Sequence, residues 1–256
     1  MKAFLIDVAK CNGCHNCQIS CKDEHCGTSW LPYAAEQPMT GQFWCKVEEK
    51  VRGTVPVVRI NYVPFIGAQN EAIKEYAPEV LMAREDGLVV IDPEKAVGRK
   101  DLAEKFEGVY WNEELQLPQG CTGCAHLLDD GWTIPRCVDA CCTNAIQFGE
   151  ESELGLEGAE NHPNQAGMGS HVWYKNFPKR FVAGCLIDFD VREVVIGAEV
   201  SLCNEAGVEV ANTVTDEFGD FMFDQYAATK YIVKYNGKEI EADATEKDLN
   251  LGDLAY

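Results

Sequence analysis

The chain has 256 residues, of which 46% are hydrophobic and 25% are charged, so a folded globular protein is expected. Its formal net charge is −20, with acidic residues spread along the chain, which argues against nucleic acid and anionic membranes as partners. No apolar run reaches the roughly 18 residues that a membrane-spanning helix needs, so no direct membrane contact is expected.

The N-terminal stretch MKAFLIDVAKC argues against an export signal. An Asp interrupts its short apolar part, and no small-residue cleavage site follows. A cytoplasmic protein is therefore predicted, and its thirteen cysteines, an odd number, are not expected to form disulfides. The spacing of these cysteines is more informative than their number.

The first cysteine group, CNGCHNCQISC, provides Cys11, Cys14, Cys17 and Cys21. A C-x2-C-x2-C turn lets three thiolates converge on three irons of one cubic cluster, and in two-cluster ferredoxins the fourth cysteine ligates the other cluster. Zinc sites also use C-x2-C pairs, but they take two pairs rather than such a run, so zinc and disulfides are the minor alternatives.

A second group lies far along the chain, in CTGC and PRCVDACC. It provides Cys121, Cys124, Cys137 and Cys141, with a longer gap after its second cysteine that indicates an inserted loop. Cys142 stands where the ferredoxin pattern has a proline, whereas Cys141 keeps the ligand spacing and is the preferred ligand.

Together the two groups predict two [4Fe–4S] clusters that exchange their fourth ligands. The predicted ligands of cluster one are Cys11, Cys14, Cys17 and Cys141. The predicted ligands of cluster two are Cys21, Cys121, Cys124 and Cys137. The remaining cysteines are not paired at ligand spacing and are expected to be structural, namely Cys26, Cys45, Cys142, Cys185 and Cys203.

The composition changes near residue 150. Residues 151–180 are rich in Gly, Glu and Asn and are predicted to form a linker. From residue 181 apolar and polar residues alternate in short runs that end in Gly, Asn or Asp, which predicts a small antiparallel β-sandwich over 181–256. Phe221 and Phe223 are expected on one face of it. No residue of this part has catalytic spacing, so a scaffold or docking module is predicted.

The surroundings of the cysteines resemble a known family. FLIDVAKCNGCHNCQISCKDEH, REDGLVVIDPEKAVG, VYWNEE, CTGCAHLLDDG and PRCVDAC follow one another in the order found in the iron–sulfur subunits of the dimethyl sulfoxide reductase family of molybdopterin enzymes. The resemblance implies a non-catalytic electron-transfer subunit. Its partner would be a large catalytic subunit that carries molybdenum with two pyranopterin guanine dinucleotides.

The family usually has four cysteine groups and four clusters, and this chain departs from that pattern. The resemblance implies that the missing middle groups correspond to Phe65, Ala68, Ile73 and Ala77, and to Ala96, Arg99, Leu102 and Phe106. The clusters nearer to the molybdenum subunit would thus be kept, and the farther ones lost. This organisation implies an α+β fold, with a ferredoxin-like double-cluster domain over 1–150 that contains an insert at 45–118.

Within the family, the altered middle, the CAHLLDD stretch and the C-terminal part are similar to the small subunits of pyrogallol–phloroglucinol transhydroxylases and resorcinol hydroxylases. This similarity implies a heterodimer that acts on polyhydroxylated aromatics bound by the partner. Transhydroxylase small subunits are expected to keep three clusters, and ligands for two are found here. The C-terminal sandwich resembles transthyretin-like and Cna-B-type modules.

Two other functions stay open at this point. The chain could serve another molybdopterin reductase or dehydrogenase, such as a catechol dehydroxylase. It could also be an autonomous ferredoxin-like carrier, although a free carrier would not need the large apolar middle segment. No catalytic residue is predicted on the chain itself.

Overall fold

The structure is a computed structural model that describes residues 1–256. It is mostly β, with sixteen strands and five short α-helices. The chain divides into two compact units, the first comprising residues 1–49 and 61–177 and the second comprising residues 50–60 and 178–256. None of its helices is both long enough and apolar enough to span a membrane.

The first unit contains all the helices. They are α1 (Asn16–His25), α2 (Glu71–Tyr76), α3 (Lys100–Lys105), α4 (Ala125–Asp129) and α5 (Arg136–Asp139). The strands up to residue 177 are β1 (Lys2–Asp7), β2 (Cys45–Thr54), β3 (Val57–Ile66), β4 (Val109–Asn112), β5 (Leu117–Gly120), β6 (Ile146–Glu150), β7 (Glu160–Asn161) and β8 (Val172–Lys175). β2 and β3 pair with each other, as do β4 and β5.

A four-stranded sheet in the order β6-β1-β8-β7 supports the first cysteine group. β1 is apolar on both faces, and its residues Ala3 to Ile6 are buried. It pairs antiparallel with β6 and parallel with β8, so that Phe4 lies opposite both Phe148 and Val172. Because β8 is part of this sheet, the segment expected as a linker over 151–180 instead belongs to the first unit as far as residue 177.

The first unit has two apolar cores. One surrounds the central sheet and includes four cysteines, Cys17, Cys21, Cys45 and Cys137. The other is built on α2 and α3 and contains only aliphatic and aromatic side chains, among them Ile73, Leu102 and Phe106. The second core is held together by contacts among these apolar side chains.

Residues 178–256 of the second unit form two four-stranded sheets. Its strands are β9 (Arg180–Asp188), β10 (Glu193–Val194), β11 (Glu199–Asn204), β12 (Glu209–Val214), β13 (Asp220–Tyr226), β14 (Lys230–Tyr235), β15 (Lys238–Asp243) and β16 (Leu249–Ala255). One sheet has the order β12-β11-β14-β15, and in the other β9 pairs with β10, β13 and β16. Phe221 and Phe223 are both buried in its core, as their alternation predicts.

This unit differs from the predicted antiparallel sandwich in two respects. β16 runs parallel to β9, because it reaches β9 by a crossover from the other sheet instead of a hairpin. Residues 50–60, expected in the insert of the first domain, are grouped with this unit. Arg52 explains the grouping, since its guanidinium lies 2.9 Å from the buried carboxylate of Asp248, which also accepts the Phe181 N–H.

The apolar core on α2 and α3 can be tested by truncating Leu102, which is fully buried. Leu102→Ala is expected to lower the free energy of unfolding by about 2–5 kcal/mol, because it leaves a cavity in a packed core. Val97→Ala, five positions away at a side chain that is 59% exposed, is the matched control and should have little effect. Chemical unfolding under anaerobic conditions measures both, and equal effects would contradict the packing described here.

Candidate iron–sulfur centre

The structure brings the four cysteines predicted for cluster one to a single cavity. Cys11 follows a short 3₁₀ turn after β1, Cys17 lies in the first turn of α1, and Cys141 follows α5. Together with Cys14 they line the cavity, whose apolar wall includes Val47. Four thiols from two distant segments therefore surround one space.

The four cysteines predicted for cluster two are also close enough to interact electrostatically. The pKa of the Cys21 thiol is raised well above its ordinary value, first by burial and then by Cys137, Cys124 and Cys121. The pKa of Cys11 is likewise raised by burial and, to a smaller extent, by Cys17, Cys141 and Cys14. Within each of the two predicted sets, the thiols therefore lie close enough to influence one another.

The turns that present the thiols have the same local sequence, Cys-x-Gly-Cys. Gly13 and Gly123 have φ values of +71° and +63°, in the region that favours glycine. A Cβ on Gly13 would lie 2.5 Å from the Tyr62 ring, and a Cβ on Gly123 would lie 2.8 Å from Leu88. Both glycines are therefore required by the backbone conformation and by their neighbours.

In the second turn the glycine N–H donates to the sulfur of the preceding cysteine, and the Gly123 N lies 3.3 Å from the Cys121 Sγ. In the first turn the neighbouring Gly13 N–H partly offsets the increase in the pKa of the Cys11 thiol. A backbone donor aimed at a thiolate stabilises its negative charge, so the turns are suited to sulfur ligands.

The packing of two helices brings together thiols from distant parts of the chain. α1 bears Cys17 and Cys21, which belong to different sets, and it packs on α5, which bears Cys137. Glu24 on α1 lies 3.5 Å from Arg136 on α5. This packing brings each set's distant thiol to the other three.

The donors suit an iron–sulfur cluster better than a single metal ion. All thirteen cysteines are free thiols, and no three His, Cys, Asp or Glu side chains are grouped closely enough to hold one ion. A [4Fe–4S] cube takes one thiolate for each of its four irons. It therefore needs four thiols around a common space, and the structure provides two such sets.

Burial makes thiolate formation costly at the second set. It raises the pKa of Cys121 to about 12 and that of Cys124 well above its ordinary value. Cys17 of the first set differs, since its pKa is lowered, chiefly by a hydrogen bond from the Cys45 thiol. Iron would supply the positive charge that compensates for burying these thiolates.

Two of the cysteines expected to be structural lie next to these sets. The Cys142 Sγ is 3.8 Å from the Cys14 Sγ, but Cys142 is exposed and does not line the cavity that Cys141 lines. Cys45 is buried and packs in the same core as Cys17, Cys21 and Cys137. Sequence reasoning missed this position, because Cys45 has no partner at ligand spacing. Of the other three, Cys26 lies near Met39, and Cys185 and Cys203 lie on β9 and β11 of the second unit.

The histidines near the second set pack with aromatic rings. His25 is 1% exposed, and its ring centroid is 4.5 Å from that of Trp44. The ring of His126 stacks on Trp30 at 4.5 Å, and its Nε2 is 3.2 Å from the Glu24 carboxylate. Burial lowers the pKa of His25 to about 3, with a further contribution from His126. His25 is therefore neutral at physiological pH.

The eight middle positions, where the resemblance implies lost cysteines, now form protein core. Seven are buried, and six of these pack together: Ala68, Ile73, Ala77, Ala96, Leu102 and Phe106. Phe65 is also buried and packs edge-on against His162. Arg99 is the exception and pairs with the carboxylates of Glu79 and Asp101. Apolar contacts therefore occupy the places where thiols would be needed.

The chain matches one known domain family over part of its length and a known protein over nearly all of it. A family model described as a 4Fe-4S dicluster domain matches residues 69–151. The pyrogallol hydroxytransferase small subunit of Pelobacter acidigallici is 39% identical over 257 residues, which cover 94% of this chain and 90% of that protein.

Two further relatives match a shorter part. A tetrathionate reductase subunit of Salmonella typhimurium is 28% identical over 58% of this chain and 57% of its own length. A polypeptide of the anaerobic dimethyl sulfoxide reductase of Escherichia coli is 27% identical over 59% of this chain and 74% of its own length.

The buried neutral His25 should make the stability of the first unit depend on pH. Its pKa is lower in the folded than in the unfolded chain, so the unfolded chain binds more protons between about pH 3 and 6.5. Wild-type stability should therefore fall as the pH drops below 6.5, and the His25 part of the loss between pH 7 and pH 5 should be about 2 kcal/mol.

His25→Phe, which keeps an aromatic ring beside Trp44, removes this contribution. Unfolding of both proteins, measured anaerobically at pH 7 and pH 5, should show a smaller pH-dependent loss in the variant. The comparison within each protein cancels any constant effect of the substitution. An equal loss in both proteins would show that His25 is not the group that titrates.

Proposed function

We propose a function from the premise that the chain belongs to the family of pyrogallol hydroxytransferase small subunits, the iron–sulfur subunits of molybdopterin enzymes. It is a non-catalytic electron-transfer subunit, and the reaction takes place on a separate, large subunit. The observation that carries this proposal is the grouping of eight thiols into two sets of four, each completed from a distant part of the chain.

The proposal assigns one [4Fe–4S] cluster to each set. Cluster one is held by Cys11, Cys14, Cys17 and Cys141, and cluster two by Cys21, Cys121, Cys124 and Cys137. When bound, such clusters accept and release one electron at a time. The protein contributes the thiolates, the glycine N–H groups of both turns and the apolar surroundings, which together set the reduction potentials.

The partner in this proposal is a large subunit that carries molybdenum with pyranopterin guanine dinucleotide. The relative at 39% identity is named for pyrogallol, which favours a polyhydroxylated aromatic as the substrate class. The substrate binds the partner, and this chain only receives or returns electrons. The free thiols favour a reducing compartment such as the cytoplasm.

The electron path within this chain is proposed to end at two clusters. The core on α2 and α3 fills six of the middle positions with packed apolar side chains, and a cluster there would need four thiolates. A short path suits an enzyme that returns its electrons to the same reaction, or one that meets an electron carrier nearby. It is less suited to a long transfer toward a membrane.

The second unit is proposed to be a docking module of the transthyretin-like or Cna-B-like type. Its two sheets enclose an apolar core, and its polar side chains lie on the outer faces of the strands. Such a module stabilises an assembly without contributing to the chemistry.

The ligand assignment can be tested at two adjacent cysteines. The wild-type chain should contain about eight irons, and Cys141→Ala should lose about four of them. Cys142→Ala is the matched control and should keep all eight, since Cys142 is exposed and does not line the cavity. Iron analysis with electron paramagnetic resonance after anaerobic purification measures both. If Cys142→Ala loses about four irons and Cys141→Ala keeps all eight, Cys142 is the ligand instead of Cys141. About twelve irons in the wild type would reveal a third cluster.

The subunit role predicts a stable complex. A tagged full-length chain, purified anaerobically from its native host, should bring down a larger subunit with one molybdenum per complex. Metal analysis of the gel-filtration peak provides the measurement. An iron-loaded monomer without molybdenum would instead support an autonomous carrier.

A further inference from the structure

A group of exposed apolar side chains lies on the outside of the second unit. Two of them are in the hairpin turn between β9 and β10, and the others are on β10, just after it, and in the turn before β13. This group, called the Phe218 patch below, consists of Phe189, Val191, Val194, Ile196 and Phe218. Single exposed apolar side chains are common on proteins, whereas a group of them with polar residues around it marks an interaction site.

The patch forms because β10 and β13 lie along the same edge of β9. β9 pairs with β16 along one edge, and its other edge pairs first with β13 and then with β10. The turn before β13 thus lies next to β10, and a Cβ on Gly219 would lie 2.9 Å from the Val194 side chain. Val194 and Ile196 face outward together, because Val195 between them packs against the core.

The backbone around Phe218 is held by hydrogen bonds. The Asp216 carboxylate accepts the Phe218 N–H at 2.9 Å and the Asp220 N–H at 3.0 Å. The Gly219 carbonyl accepts the Leu186 N–H of β9. The turn is therefore tied to itself and to the sheet, while the Phe218 side chain is 64% exposed. An anchor on an ordered backbone loses less entropy on binding, and aromatic anchors contribute much of the affinity of many interfaces.

Negative charge surrounds the patch. The segments that bear it carry five exposed carboxylates and one exposed guanidinium, namely Asp190, Glu193, Asp216, Glu217, Asp220 and Arg192. A second copy of the chain would bring these carboxylates against each other, and the formal net charge of each copy is −20. Because like charges across an interface repel, the complementary surface is apolar at its centre and basic at its rim.

We propose that the Phe218 patch binds a surface of the large subunit that is apolar at its centre and basic at its rim, with Phe218 as the anchor. This inference rests on the proposed function, because the large subunit is the partner in that function. It gives the docking module a specific docking surface, on a different unit from the thiol sets.

The test is a competition between differently tagged wild-type and variant chains for a limiting amount of the large subunit. The ratio of the two chains in the anaerobically purified complex reports their relative affinity. Phe218→Ala removes the anchor and keeps the backbone hydrogen bonds of its turn. Val208→Ala is the matched control, because it truncates a side chain that is 60% exposed in the turn between β11 and β12 of the other sheet.

Phe218→Ala should bind about tenfold more weakly than the wild type, as expected for truncation of an interface anchor. Val208→Ala should compete equally with the wild type. Thermal unfolding of each variant checks that its fold is retained. If Phe218→Ala lowers the unfolding temperature, Ile196→Ala makes the same test at a neighbouring exposed side chain.

The acidic rim is tested by Asp190→Asn combined with Glu217→Gln. This variant should bind about threefold more weakly at low salt and should approach the wild type at high salt, because salt screens exposed charges. Glu205→Gln combined with Glu241→Gln removes two exposed carboxylates at the other sheet and should have little effect.

Equal competition by the Phe218→Ala chain would overturn the proposal. Equal competition by the rim variant at low salt would overturn it too, because the partner surface would then not be basic. Sedimentation of the wild-type chain alone adds a third test, since a dimer that Phe218→Ala abolishes would place a second copy on the patch. Failure of the underlying function looks different, because the wild-type chain would then bind no large subunit.

Discussion

The central constraint on this molecule is that each set of four thiols contains one member from a distant part of the chain. Cys141 completes the set of the first turn, and Cys21 completes the set of the second. Neither set can form unless α1 packs on α5, so the packing of these short helices and the formation of the sites are a single event. The apolar core that includes Cys17, Cys21 and Cys137 couples the two further.

The same constraint explains why the thiols are buried, although burial raises the free energy of their thiolate form. Burial disfavours the thiolate, as the raised pKa of Cys21 and Cys121 shows, whereas iron binds the thiolate form. A site of this kind is stable only when the metal charge and nearby N–H donors compensate. The Gly123 N–H, which donates to the Cys121 sulfur, is a donor that the fold itself provides.

Sequence alone indicated the two sets because cysteine spacing and glycine positions are local features of the chain. It could not indicate the position of Cys45, which depends on where β2 begins relative to α1 and α5. It also placed residues 50–60 in the insert, because the contact between Arg52 and Asp248 joins segments far apart in sequence. Similarly, the parallel pairing of β8 with β1 depends on a long return of the chain, and no local pattern encodes it.

If the middle segment holds no cluster, as proposed, the apolar core on α2 and α3 takes the place of one in the fold. A cluster organises the chain around it, so removing only its ligands would leave a cavity and unfavourable packing. Here alanines lie at three of the positions, and larger side chains such as Ile73, Leu102 and Phe106 fill the space between them. Burial of these side chains can replace the structural contribution of a cluster, but not its ability to carry an electron. The scaffold can therefore persist while the distance over which electrons travel through the subunit becomes shorter.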